Sequence, residues 1–84
     1  MAELHYSKQA TKYLRRMPNS HAQKMRRALR NIAARHNKGL DIKLMSEQKA
    51  FRLRQGNYRA MYAFRNEGRT VMVVKVGTRG DFYK

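Results

Sequence analysis

FRLRQGNYRAMYAFRNEGRTVMVVKVGTRGDFYK, residues 51–84, is where the hydrophobic period switches to two. Residues two apart in a strand share a face. Phe51 and Leu53 alternate with Arg52 and Arg54. Gln55, Gly56 and Asn57 supply turn chemistry. Tyr58, Ala60, Tyr62 and Phe64 then alternate with Arg59, Met61 and Ala63, and Asn66, Glu67 and Gly68 make a second turn. Residues 71–76 form a nearly continuous, Val-rich run, as expected of a central strand with both faces occupied. Gly77 ends it. By parity Arg52 and Arg54 point the same way, Arg59 joins them from the next strand, and Arg79 and Tyr83 follow the third. The same count puts Lys75 on a face with Val71 and Val73, so it receives no chemical role. A surface of four arginines and a phenol suits gripping a phosphodiester and breaking it.

Upstream the period is helical. Residues 2–6 alternate weakly as a short strand. Ser7 is a candidate N-cap for a helix running to about Arg16, with Tyr6, Ala10, Tyr13, Leu14 and Met17 on one stripe. Pro18 stops it, because a proline disfavours helix in the residue before it. Asn19 or Ser20 is expected to cap a second helix whose apolar face is Ala22, Met25, Leu29, Ile32 and Ala33, with Gly39 as its C-cap. Residues 40–50 are ambiguous: Ile42 and Leu44 suit either an anchored loop or a short strand. The expectation is an α+β fold in the order β-α-α-β-β-β. A helical hairpin packs on one face of a small, mainly antiparallel twisted sheet. The face bearing Phe51, Leu53, Tyr58, Tyr62 and Phe64 meets the helices, and the face bearing Arg52, Arg54, Arg59 and Met61 stays open and basic.

The 84 residues suit one domain spanning 1–84. The absence of cysteine excludes disulfides and thiolate metal sites and fits a reducing cytosol. No apolar run approaches the roughly 20 residues that span a bilayer, and no signal-peptide pattern opens the chain. Twenty Lys and Arg against five Asp and Glu give a net charge of +15. Such an excess opposes compaction, so it points to a polyanionic partner: nucleic acid, anionic lipid or an acidic protein. The weight of arginine favours phosphate, whose oxygens match the guanidinium fork. Arg26, Arg27 and Arg30, with Arg15, Arg16 and Arg35, are too spread for one substrate strand. They suit a larger RNA surface, an acidic partner that folds on binding, or a solvated helix face. Asp41, Glu47, Glu67 and Asp81 show no metal-ligand clustering, and His5, His21 and His36 are scattered, so neither metal nor cofactor is expected.

FRLR at 51–54, the G-x-Y-R-x-x-Y hairpin of Gly56, Tyr58, Arg59 and Tyr62, VGTR at 76–79 and the nearby Tyr83 together resemble the RelE/ParE superfamily of type II toxins. The likeness is to the RelE-like branch and spans essentially the whole chain. It implies an mRNA endonuclease acting in the ribosomal A site without metal. The ribose 2′-OH would attack the adjacent phosphate, leaving a 2′,3′-cyclic phosphate and a free 5′-OH. It also implies a cytoplasmic bacterial or archaeal protein whose partners are the 70S ribosome, mRNA and an acidic, partly disordered antitoxin.

The resemblance assigns phosphate binding to Arg59 and Arg79, and general base or 2′-OH orientation to Tyr83. A free phenol titrates near pH 10, and surrounding guanidiniums would favour its phenolate. Arg52 and Arg54 stand where some members carry lysines. Arginine is a poor proton donor, so Arg54 would act on the leaving oxygen by charge, or Lys43 or Lys49 would supply a proton. Two other functions remain open: a ParE-like inhibitor of DNA gyrase and a non-catalytic RNA-binding protein.

Overall fold

The computed structural model describes residues 1–45 and 49–82. Strand β1 (Glu3–Tyr6) is followed by helices α1 (Lys8–Arg16) and α2 (Asn19–Ala33), then by strands β2 (Asp41–Met45), β3 (Ala50–Gln55), β4 (Tyr58–Arg65) and β5 (Thr70–Thr78), and by one turn of helix, α3 (Arg79–Phe82). The five strands form a single sheet in the order β1-β5-β4-β3-β2, with β1 parallel to β5 and every other pair antiparallel. The expected α+β layout holds, and the ambiguous stretch after residue 40 resolves as the edge strand β2.

The helix boundaries follow local chemistry. Ser7 caps α1 by accepting from the Ala10 amide at 3.0 Å, the side-chain substitute for a missing intrahelical acceptor. Met17, the residue before Pro18, is extended and ends the helix. The start of α2 differs from expectation. Pro18 itself sits at the N-cap and its carbonyl accepts from the Ala22 amide at 3.0 Å, so Asn19 is already helical. A proline carbonyl provides the first helical acceptor as well as any other, without a side-chain cap. The C-terminus differs too. Arg35, at φ 62°, takes the left-handed position expected of Gly39. The His36 amide reaches the Asn31 carbonyl at 2.7 Å there, which is the closing bond of a Schellman end. The apolar stripe stops at Ala33, so the helix closes there, and Gly39 (φ 83°) serves the turn into β2.

Leu14, Met25, Leu29 and Ile32 from the helices meet Leu53, Ala60, Tyr62, Val71, Val73 and Val76 from the sheet, all 2 % exposed or less. The helices cover one face of β3, β4 and β5, as the alternation predicts. Opposite partners confirm the parity: Leu53 faces Ala60 in the ladder and Phe51 faces Tyr62, while Arg54 faces Arg59 and Arg52 faces Met61 on the other side. Phe64 is the exception among the residues expected to meet the helices. It is 38 % exposed, as Leu44 is at 57 %, and neither belongs to the core cluster that the helices cover.

One irregularity matters for function. Met61 pairs with Lys75 but Tyr62 pairs with Val73, so Val74 is an extra residue in β5. Such a bulge reverses the parity of everything beyond it. Lys75 therefore lies on the face of Arg59 and Met61, not on that of Val71 and Val73 as simple alternation implies.

β1 stops at Tyr6, which leaves the outer edge of β5 uncovered beyond Val73. Side chains at the start of α1 take over. Ser7 Oγ donates to the Val74 carbonyl at 2.7 Å. The Gln9 amide both donates to the Val76 carbonyl at 2.8 Å and accepts from the Val76 amide at 2.9 Å. One side-chain amide thus imitates a strand neighbour and satisfies backbone groups that would otherwise be orphaned.

Candidate nucleic-acid interface

The tightest turn of the sheet builds one wall of the site. Gln55 pairs with Tyr58, leaving Gly56 and Asn57 as a two-residue loop. Gly56 has φ 61°, the sign a type II′ hairpin demands at its first central position. This loop holds Arg54 and Arg59 directly opposite one another on the open face. Like charges in that relation repel, and an anion between them removes the penalty.

The other wall is α3. Thr78 and Asp81 form the carboxylate arm of a capping box: Asp81 Oδ2 accepts from the Thr78 amide at 2.8 Å and from Thr78 Oγ1 at 3.1 Å. Asp81 lies over Gly77, where a Cβ would stand 2.7 Å from Oδ2. Lys75, brought to this face by the bulge, donates from Nζ to the Asp81 carbonyl at 2.8 Å, with its ammonium 5.2 Å from the centre of the Phe82 ring. Gly77, Asp81 and Lys75 together fix the turn that carries Arg79. The sequence contains a signal for it, because T-x-x-D at 78–81 has the capping-box spacing.

Between these walls is an open cleft of about 360 Å³ lined by Arg54, Gly56, Asn57, Arg59, Thr78, Arg79 and Gly80. Three of the arginines expected at the site thus converge. Arg59 is buried, at 9 % exposure, whereas Arg54 and Arg79 are exposed. A buried guanidinium beside two exposed ones is a seat for an anion that enters from solvent and loses part of its hydration. Among the described residues, no carboxylate or imidazole lines it. The three guanidiniums can orient a phosphate and stabilise added negative charge.

The remaining expected residues stand elsewhere. Arg52 is drawn to the sheet edge by Asp41 on β2, with Nη2 3.1 Å from Oδ1, and the other carboxylate oxygen of Asp41 lies 3.9 Å from Arg54. Lys43 sits opposite Arg52 on β2, and Lys49, at φ 50°, leads into β3. Both are exposed and neither lines the cleft. Arg26, Arg27 and Arg30 belong to the helical layer, across the sheet from Arg54 and Arg59. Burial raises the Tyr6 phenol, and the Arg26 and Arg30 guanidiniums pull against that rise, which places both beside β1. Tyr83 lies outside the described residues, as does Glu47. Among the described residues no three His, Cys, Asp or Glu side chains gather in a way that suits a metal, and no helix is long and apolar enough to cross a membrane.

The sequence matches, over residues 4–83, the model of a family described as the ParE toxin of type II toxin–antitoxin systems, parDE. No curated protein matches it. Solved structures resemble the fold closely. The RelB–RelE antitoxin–toxin complex from Methanococcus jannaschii includes a chain 22 % identical to this one, with 94 % of each chain covered and a TM-score of 0.75. The isolated RelE toxin of E. coli is 18 % identical over 93 % of this chain and 84 % of its own, with a TM-score of 0.75. A metal-bound toxin from Helicobacter pylori is 14 % identical over 99 % of this chain and 100 % of its own, with a TM-score of 0.80.

Proposed function

The chain belongs to the ParE toxin family of type II toxin–antitoxin systems, and from that premise we propose that it is an endoribonuclease that cuts mRNA in the ribosomal A site without a metal. The observation that carries this reading is the convergence of Arg54, Arg59 and Arg79 on one cleft. In the proposed reaction the ribose 2′-oxygen forms a bond to phosphorus, the bond from phosphorus to the 5′-oxygen breaks, and the 2′-proton passes to a base while the 5′-oxygen gains a proton. Arg59 and Arg79 bind the phosphate and stabilise the dianionic phosphorane, the kind of preorganised charge that usually supplies the largest catalytic term. Arg54 faces the developing charge on the leaving oxygen. Guanidiniums do not release protons, so both proton transfers fall to other groups: Tyr83 for the 2′-OH, and for the leaving group Lys43 or Lys49, neither of which lines the cleft itself. Lys75 positions α3 and is not a proton carrier in this scheme, since its ammonium is already engaged by the Asp81 carbonyl.

The same reading makes the protein cytoplasmic and gives it an antitoxin partner, as RelE has RelB in the M. jannaschii complex. An acidic antitoxin would complement the +15 charge. The second reading, a ParE-like gyrase inhibitor, is favoured by the description of the matching family.

Single-turnover cleavage on programmed ribosomes separates the two. The nuclease reading expects products ending in a 2′,3′-cyclic phosphate and a 5′-OH, and no cut where the scissile sugar lacks its 2′-OH. Arg79→Ala and Arg59→Ala are expected to slow the step by about 10²–10³-fold, as for loss of one oxyanion donor. Intact mRNA alongside inhibited gyrase supercoiling would establish the second reading instead. Growth arrest that a cognate antitoxin relieves is expected under both.

A further inference from the structure

A second cleft opens at the same end of the sheet, on its helical side. Tyr13, Arg16, Met17 and Pro18, at the break between α1 and α2, line it together with Tyr58 at the start of β4, enclosing about 230 Å³. Two of its lining side chains are rings, and a third ring, His21, stands against Tyr58 from outside the lining. Tyr13 meets Tyr58 edge-on, with centroids 6.4 Å apart and planes at 72°, and the His21 ring lies 5.3 Å from that of Tyr58 at 52°. Tyr13 and Tyr58 are half-buried, resting on the core, while His21 and Arg16 are exposed. None of these groups has a part in the phosphate chemistry.

The aromatic and arginine clefts share a rim. Tyr58 lines the first, and its chain neighbours Asn57 and Arg59 line the second. Thr78 lines the arginine cleft and stands opposite Tyr58 in the ladder. Tyr13 also feels Asp81, the residue that caps Thr78. Burial raises the Tyr13 phenol, and the Asp81 carboxylate and Tyr58 raise it further. Both clefts open at the β3–β4 turn end of the sheet, so a polymer that leaves the arginine cleft around that end passes the rings.

We propose that the cleft of Tyr13 and Tyr58, with His21 at its margin against Tyr58, seats one nucleobase of a single-stranded RNA whose adjacent phosphate lies between Arg54, Arg59 and Arg79. Every base has a π-face, so stacking on aromatic rings holds a base without choosing its identity. A base inside a duplex has no free face to offer, which selects for single strands. Arg16 at the cleft wall can stack on the base or take the next phosphate. This inference rests on the reading that RNA occupies the arginine cleft.

The test titrates the protein with two short 2′-O-methyl oligoribonucleotides, a uridine pentamer and the same pentamer with one central abasic site, across a range of salt. Arg79→Ala is expected to weaken both and to flatten the plot of log K against log salt by about 0.7. Tyr58→Leu and His21→Ala are expected to shift the line for the intact pentamer down in parallel, with Tyr58→Leu costing about tenfold, and to leave the abasic pentamer unchanged. His21 is exposed, so its variant remains informative should Tyr58→Leu fail to fold. The chain has five tyrosines and no tryptophan, so quenching of tyrosine emission by the intact pentamer but not the abasic one gives a second readout. Equal effects of the ring variants on both oligomers, or none on either, would overturn the base seat while the arginine result stands. An Arg79→Ala variant that binds both oligomers like the wild type would overturn the RNA reading itself, and the base seat with it.

Discussion

Asp81 occupies the space that a side chain on Gly77 would need: a Cβ there would stand 2.7 Å from Oδ2 and 2.9 Å from the Asp81 Cβ. The close approach joins the last strand to the turn carrying Arg79, and it makes position 77 a gauge of how rigidly that turn must be held. Gly77→Ala is expected to lower stability by about 1–3 kcal/mol, the usual cost of overpacking, and to reduce single-turnover cleavage further by displacing α3. Combining it with Asp81→Ala, which removes the colliding carboxylate, is expected to cost less than the two single changes added together. Thermal unfolding of the four proteins of the cycle measures that coupling, and strict additivity would show that the close approach carries no energy.

Under the proposed function Asp41 competes with RNA for the site's edge. It holds Arg52 at 3.1 Å and lies 3.9 Å from Arg54, yet its own side chain is 54 % exposed, so the pairing adds little to stability, at most about 1 kcal/mol. Asp41→Asn is expected to leave the melting temperature nearly unchanged and to tighten RNA binding. It should also steepen the salt dependence by about 0.7 in log–log slope, the increment for one more neutralised phosphate. An unchanged slope would place Arg52 and Arg54 outside the phosphate path.

Lys75 acts through backbone position. Its bond to the Asp81 carbonyl at 2.8 Å restrains the turn, so Lys75→Ala is expected to slow cleavage by about tenfold or more, since small misplacements of catalytic groups are costly. Lys75→Arg can still donate to that carbonyl and is expected to restore most of the rate. If Lys75 instead transferred a proton, arginine would not rescue, and the pH–rate profile would lose a limb.

Tyr62 sets an alkaline limit. Burial pushes its phenol up from 10 to about 12. The unfolded chain therefore releases this proton first, and between pH 10 and 12 the folded protein binds more protons than the unfolded one. Stability is fully present below pH 10 and falls as pH rises toward 12, by roughly 2–3 kcal/mol at 1.36 kcal/mol per unit. Tyr62→Phe is expected to flatten this decline relative to the wild type in denaturant titrations at pH 9 and 11. Parallel declines would assign the alkaline loss to other groups.

Much of this architecture is legible in the order of residues. Alternation in residues 51–64 separates Leu53 and Tyr62 from Arg54 and Arg59, and the helical stripes from Ala10 to Ala33 identify the covering layer. What alternation cannot register is a single inserted residue. Val74 looks like any other member of a valine run, and only pairing with β4 reveals that it has no partner of its own, so Lys75 lands on the site rather than in the core. Asp41 escapes the same way: its partnership with Arg52 depends on β2 forming beside β3, an association of segments whose strand character is weak in isolation. The helical arginines show the opposite limit. Their sequence leaves open a larger RNA surface, an acidic partner or a solvated helix face, and only the packing of α2 against β1 shows that they stand across the sheet from the cleft.

The edge of β5 is finished by Ser7 and Gln9, and those bonds span 67 positions of chain. β5 is also the last strand made and the one that leads into Arg79. During synthesis, then, β1 waits for a neighbour that follows β2, β3 and β4 in the chain. The arginine cleft cannot exist on a nascent chain that has not passed residue 79. This sets a sequence of events: the cleft is complete only once β5 has joined β4 and β1 and carried Arg79 into place. Its assembly is a late, long-range closure rather than a local folding step.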